Sequence, residues 1–253
     1  MLNMLTHGTR TDAPGLLIAH GLYGSARNWG VIAKRLSDTR QVVTVDMRNH
    51  GASPWADTHS YPEIAADLAE VLSSLDGPWN VLGHSMGGKA AMVLALTHPD
   101  MLHRLIVADI APVAYEHSQI RYVEALKAAD LTGLQKRSDA VARLEGLVDD
   151  PALIPFFLQS LDVSEGRWRL NLDALGHAMP DIMGFPHFES PSDKPALFLT
   201  GAASDYVTPD QRPEIKRLFP KARFARIPGA GHWLHAEKPR EFEAAVRTWL
   251  DLA

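Results

Sequence analysis

The sequence predicts an α/β fold: a mostly parallel central sheet with helices on both faces and one helical segment inserted into it. Three observations carry this expectation. Short runs rich in Val, Ile and Leu alternate with helical patterns up to Pro112 and again from Pro195 onward. Several of these runs close on a polar residue or a glycine, as parallel strands do at the edge where ligands bind. Between Ala114 and Phe188 the β-alternation disappears and charge-rich helical patterns replace it. Because the strand-helix rhythm resumes afterwards, the chain reads as one domain over 1–253 with a helical cap over 114–188.

The elements follow in order. "GLLIAHG" and "QVVTVDM" are continuous apolar runs of strand length, the signature of strands buried on both faces. "EIAADLAEVLSSL" sets Ile64, Leu68, Val71, Leu72 and Leu75 on one helical face. "WNVLGH" is the next strand, followed by a helix beyond Gly87 and by the buried strand "RLIVADIAP". The insertion should therefore leave the sheet after its fifth or sixth strand. Within it, "QIRYVEALKAAD", "RSDAVARLEGLV" and "PALIPFFLQSL" are helical patterns broken by Gly and Pro. "PALFLTG" and "ARFARIPGAGH" restore the sheet. The helix "EFEAAVRTWL", with Phe242, Ala245, Val246 and Trp249 on one face, closes the fold.

Composition narrows the function. A chain of 253 residues with 46% hydrophobic content can bury one sizeable core. Its 25 Lys and Arg are scattered among 30 Asp and Glu, so no basic field addresses nucleic acid or an anionic membrane. With no cysteine there is no disulfide, no thiolate nucleophile and no Cys-ligated zinc. The opening "MLNMLTHGTRTDAPG" lacks a basic stretch followed by an apolar one, and no uncharged apolar run approaches the ~18 residues of a membrane span. A cytoplasmic protein without nucleic-acid or membrane partners is expected.

Two chemistries compete for the stretch "WNVLGHSMGGKAAMVLALTHP". Gly83-His84-Ser85-Met86-Gly87 matches G-x-S-x-G, a strand-turn-helix that lifts a serine above the sheet. Gly83-x4-Gly88-Lys89-Ala90 falls one residue short of the phosphate loop G-x-x-x-x-G-K-[ST]. The missing hydroxyl at Ala90 and the lack of a magnesium carboxylate on a later strand count against phosphate, leaving Lys89 as a solvated first-turn residue. G-x-S-x-G alone is weak, arising by chance in roughly one chain in fifteen. Here an apolar strand precedes it and a long apolar helix follows, the context that gives it meaning. The sharp turn demands small flanking residues, and Gly83 and Gly87 supply them.

A serine needs a base, and the base needs an orienting acid. "IPGAGHWLHAEKP" offers His232 in a Gly-rich loop, with room around it from Gly229 and Gly231. His235, closer to the final helix, is its competitor. No histidine spacing supports a metal.

Together "HGLYGS", "DMRNHGASP", "GHSMGGKAA" and "GAGHWLHAEKP", in register across essentially the whole chain, resemble the α/β-hydrolase family. A cap is inserted after "ADIAPV", and the combination of these motifs with "DMRNHG" and "ADIAPV" looks most like the small bacterial YbfF-type esterases. The resemblance implies that Ser85 is the nucleophile, His232 the general base and acid, and the amides of Leu22 and Met86 the oxyanion hole. His20 and Gly21 would shape that hole, and Asp46 and Arg48 would form a structural pair. In most of the family the acid follows the penultimate strand as Gly-x-x-Asp-x-x-Val. Here Gly201-Ala202-Ala203-Ser204-Asp205-Tyr206-Val207 puts Ser204 at that position and shifts Asp205 by one. Asp109, closing "RLIVADIAP", is the preferred acid, because a carboxylate at the end of a buried run needs a partner such as an imidazolium. Asp205 stays the alternative.

The implied activity is cleavage of carboxylic esters or thioesters, acyl-CoA among them, through an acyl-enzyme, with no metal and no organic cofactor. Phe156, Phe157 and Trp168 of the cap would line a pocket for a small acyl substrate. C–C bond hydrolases, haloperoxidases and acyltransferases share the constellation, and a slow ligand receptor on the same scaffold is the rival from another class. Dehalogenases and epoxide hydrolases of this architecture carry Asp where this chain has Ser85.

Overall fold

A computed structural model describes residues 1–252. Strand β1 (Met4–His7) precedes β2 (Leu16–Ala19), helix α1 (Gly30–Leu36), β3 (Val42–Val45), α2 (Tyr61–Ser73), β4 (Trp79–His84), α3 (Met86–Thr97) and β5 (Leu102–Ala108). The chain then enters α4 (Ile120–Ala128), α5 (Val141–Leu144), α6 (Ile154–Phe157), the ribbon β6 (Leu161–Asp162) and β7 (Arg167–Trp168), α7 (Leu172–His177) and α8 (Met179–Met183). It returns through β8 (Ala196–Gly201), α9 (Arg212–Leu218), β9 (Ala222–Ile227), α10 (Leu234–Glu237) and α11 (Pro239–Leu250).

Seven strands form one sheet in the order β1-β3-β2-β4-β5-β8-β9, parallel except for β1. The helical segment departs after the fifth strand. β1 had no reading of its own in the sequence, because its alternation is interrupted by polar Thr6 and His7 and it pairs at an edge. Strands β2, β3 and β4 are buried along their whole length, and β5 from Leu105 onward, because helices cover both faces of the sheet. One core packs α2, α3 and the segment between β5 and β8 on one face; the other packs α1 and α11, burying Trp29, Phe242, Val246 and Trp249. At roughly 25 cal/mol per Å² of apolar surface, such burial is the main stabilising term.

Two adjacent segments seat the cap. Asn49 O accepts from Asn171 N at 2.9 Å and Gly51 N donates to Arg169 O at 2.8 Å. The expected Asp46–Arg48 pair does not form. Asp46 turns inward and takes the amides of Ala26 (2.7 Å) and Ala52 (2.9 Å), whereas Arg48 turns outward to Asp67 on α2 at 2.6 Å. Two residues apart in a loop, each found a partner that satisfies it better than the other could.

Candidate active site

The turn between β4 and α3 holds Ser85 at φ 52°, ψ −119°, a conformation costly for any residue with a side chain. Only glycine fits beside it. A Cβ on Gly83 would sit 2.1 Å from Gly87 O, and one on Gly87 would sit 2.4 Å from Ala19 O. The turn thus presses against β2, and Ser85 N donates to Ala108 O of β5 at 3.0 Å.

Asp109 follows β5 directly, is fully buried, and also takes a positive φ, 53°. Both oxygens of its carboxylate are engaged: Gly201 N reaches Oδ1 at 2.9 Å, and Oδ2 accepts from Ser204 Oγ at 2.5 Å and His232 Nδ1 at 2.8 Å. Ser204, at the position where most relatives of the fold place their acid, therefore serves the carboxylate of the neighbouring strand. Asp205 is exposed at the cavity and makes no hydrogen bond or ion pair among the described residues. With Nδ1 of His232 donating to Asp109, Nε2 is the nitrogen left to exchange a proton with a ligand.

The imidazole of His232 is walled in. Tyr206 stacks on it with ring centroids 3.7 Å apart and 19° between planes, and buried His84 donates from Nε2 to the His232 carbonyl at 2.9 Å. His235 lies in the core, stacked on Trp29 at 4.1 Å, and burial brings its pKa down to about 3. A base so reluctant to charge is unsuited to accept a proton near neutral pH.

Leu22 and Met86 border the same cavity, and neither amide has a protein acceptor among the described residues. Met86 N is the first amide of α3, where the helix dipole adds to its pull on negative charge. His20 contacts Gly21 O at 2.7 Å, shaping the loop as expected of it.

The cavity, about 630 Å³, lies between the strand ends and the cap. Phe156 and Phe157 line it, with Tyr23 packed edge-on and Tyr122 tilted against Phe157. Trp168 does not. Its indole N–H donates to Leu126 O at 2.7 Å inside the cap, because a buried indole seeks an acceptor and the end of α4 offers one. Lys89 is likewise not solvated. Its side chain is buried, and Nζ donates to Met183 O (2.9 Å) and Gly184 O (2.6 Å) and lies over the Tyr115 ring. Burial lowers its pKa to about 7. The end of α8 folds back over α3 and leaves two open carbonyls there, which a lysine can satisfy.

The model for the alpha/beta hydrolase fold matches residues 14–239. The chain belongs to the α/β-hydrolase fold family. It is 38% identical to Esterase YbfF of Escherichia coli, with 93% of this chain and 92% of that one covered. It is 42% identical to mouse (Mus musculus) sn-1-specific diacylglycerol lipase ABHD11, covering 94% and 81%. Among solved structures, a marine microorganism esterase superposes with a TM-score of 0.91 at 40% identity, covering 98% of each chain. Among the described residues of this hydrolase no group of three His, Asp or Glu side chains is arranged to hold a metal ion, and no helix is long and apolar enough to cross a membrane.

Proposed function

We propose that this chain is a serine hydrolase of carboxylic esters, with thioesters such as acyl-CoA within its reach, acting on small acyl substrates in the cytoplasm. The observation that carries the reading is the Asp109–His232 contact, built beside the turn that holds Ser85 in the same cavity. Likeness to proteins named esterase and lipase supports it.

In this mechanism Ser85 Oγ attacks the carbonyl carbon as His232 Nε2 takes its proton. Asp109 holds the imidazole with Nδ1–H toward itself and balances the imidazolium. The oxyanion settles on the amides of Leu22 and Met86, donors already in place before charge develops. Collapse expels the alcohol or thiol with the proton from His232. Water, activated by the same nitrogen, then releases the acid from Ser85. The cap over 114–188 serves as the lid that excludes bulk solvent and selects the acyl group.

The experiment is covalent labelling. An organophosphonate should mark Ser85, and Ser85→Ala should abolish labelling and lower short-chain aryl ester turnover by at least ~10⁴-fold. An adduct mapped to another serine would remove the proposal, and unlabelled protein turning over at background rates would favour a receptor.

A further inference from the structure

The segment "DMRNHGASP" has no part in that mechanism, yet its histidine holds Tyr23, a residue of the cavity wall. His50 is fully buried; its Nε2 accepts from Tyr23 N at 3.2 Å and its Nδ1 donates to Arg48 O at 2.8 Å. Only one neutral tautomer makes both bonds. Tyr23 itself sits at φ 64°, a conformation that outside support must hold.

The contacts around Leu22 are complementary. Gly21 O accepts from Gly24 N at 3.0 Å and from His20 Nδ1 at 2.7 Å, while His20 Nε2 accepts from Met47 N at 2.9 Å. A trans peptide points its carbonyl and its N–H to opposite sides, so fixing Gly21 O fixes where Leu22 N–H points. His50 fixes the next peptide through Tyr23 N. Both peptide planes flanking Leu22 are thereby pinned, and the amide of this cavity-lining residue is left without a protein acceptor among the described residues.

The second donor has the same kind of support. Asn49 Nδ2 donates to His59 Nδ1 at 3.3 Å, so His59 Nε2–H points at Met86 Sδ, 3.3 Å away. The rings of His20, His50 and His59 pack with centroids 5.0 and 5.6 Å apart.

We propose that His50 is a positioning residue for the oxyanion hole, acting through Tyr23 to aim the Leu22 amide, within a cluster of neutral imidazoles that also braces Met86. The inference rests on the esterase reading. Burial favours the neutral form at each of the three rings, holding His50 well below the ordinary histidine range and His59 at about 3. The cluster therefore keeps its hydrogen-bond pattern near neutral pH. The same segment seats the cap at Asn49 and Gly51, so one stretch of chain references both the lid and the hole to β3.

Two substitutions separate the ring nitrogens. Glutamine places an acceptor near Nε2, whereas asparagine keeps a donor near Nδ1 and withdraws the acceptor from Tyr23. His50→Asn should lower kcat about 10- to 100-fold, short of the ~10²–10³-fold loss on deleting an oxyanion donor outright, with KM nearly unchanged. His50→Gln should stay within about threefold of the parent, since the amide remains held. The readout peculiar to this role is the infrared carbonyl stretch of the acyl-enzyme. It should move toward the free-ester frequency in His50→Asn and stay in place in His50→Gln. An unmoved stretch in His50→Asn, or equal losses in both variants with the stretch unchanged, overturns the inference. If neither variant folds, NMR of the parent decides: a scalar coupling between the Tyr23 amide and His50 Nε2 supports it, and a protonated Nε2 overturns it. Failure of the parent to form an acyl-enzyme on Ser85 would instead refute the esterase reading.

Discussion

The strand ends and the cap are held together by different means. At the strand ends four non-glycine residues, Tyr23, Asn49, Ser85 and Asp109, take positive φ, and in buried polar groups such as Asp109, His20 and His50 each side-chain polar atom has a hydrogen-bond partner. The cap is assembled from helices of four to nine residues. Exposed ion pairs such as Arg121–Asp149 and Arg143–Asp130 decorate it, and pairs of that kind contribute only ~0–1 kcal/mol each. Strain persists where surroundings over-determine the backbone. The scaffold therefore holds reacting atoms in one geometry, whereas the cap is held chiefly by the apolar core it shares with α2 and α3. Substitutions at strand ends should appear in turnover, and substitutions at the joint with the cap should appear in stability.

The sharpest way to break this contrast is Asp109→Asn. The amide keeps the shape but offers a donor where His232 Nδ1–H needs an acceptor, favouring the wrong tautomer. Turnover should fall by ~10⁴-fold. Circular dichroism and thermal melting must accompany the assay, because Asp109 also accepts from Gly201 N and Ser204 Oγ. Near-normal turnover in a folded variant would remove Asp109 from the mechanism.

What could be read from the sequence followed range. The buried runs, the glycines around Ser85 and the carboxylate ending "RLIVADIAP" are local signals, and each was legible. Ser204 was the overlooked companion: a hydroxyl at the usual acid position is itself a sign that a carboxylate approaches from elsewhere. Lys89 and Trp168 were misread because their acceptors lie 94 and 42 positions away, beyond any periodicity. His50 and Tyr206 act through contacts with segments distant in the chain, so their residue type alone carried no signal. The one-residue displacement of Asp205 was visible, but which carboxylate His232 meets depends on strand order, with β5 lying between β4 and β8.

A middle-sized effect is expected at Lys89, where scaffold and cap meet. Lys89→Met leaves the carbonyls of Met183 and Gly184 without a donor, a cost of ~1–3 kcal/mol. The sign of the pH dependence follows from burial, which lowers the folded-state pKa from 10.5 to about 7. Between those values the unfolded chain binds the extra proton, so this group makes stability rise with pH across about 7 to 10.5. Urea midpoints at pH 9.5 should drop clearly in Lys89→Met. At pH 6 the drop should shrink, because removing a desolvated ammonium offsets the lost hydrogen bonds. A larger drop at pH 6 than at pH 9.5 would mean that the charged form is the one the joint prefers.

The smallest effect should be at Asp205, and its smallness is informative. This carboxylate is one residue from Ser204 and borders the cavity, so sequence proximity alone would give it a role equal to that of Asp109. Its exposure argues otherwise, since an exposed charge acts on a neighbour through high dielectric and is worth at most ~1 kcal/mol. Asp205→Asn should therefore change turnover by less than ~5-fold, the equivalent of that energy. Whatever change appears should shrink as added salt shortens the screening length to ~3 Å at 1 M. Asp109→Asn should keep its full deficit under the same salt, because a buried 2.8 Å contact is not screened. A loss at Asp205 of 100-fold or more, insensitive to salt, would show that the loop after β8 swings this carboxylate onto His232 during turnover, and the acid would then belong to the common position of the fold with a one-residue shift.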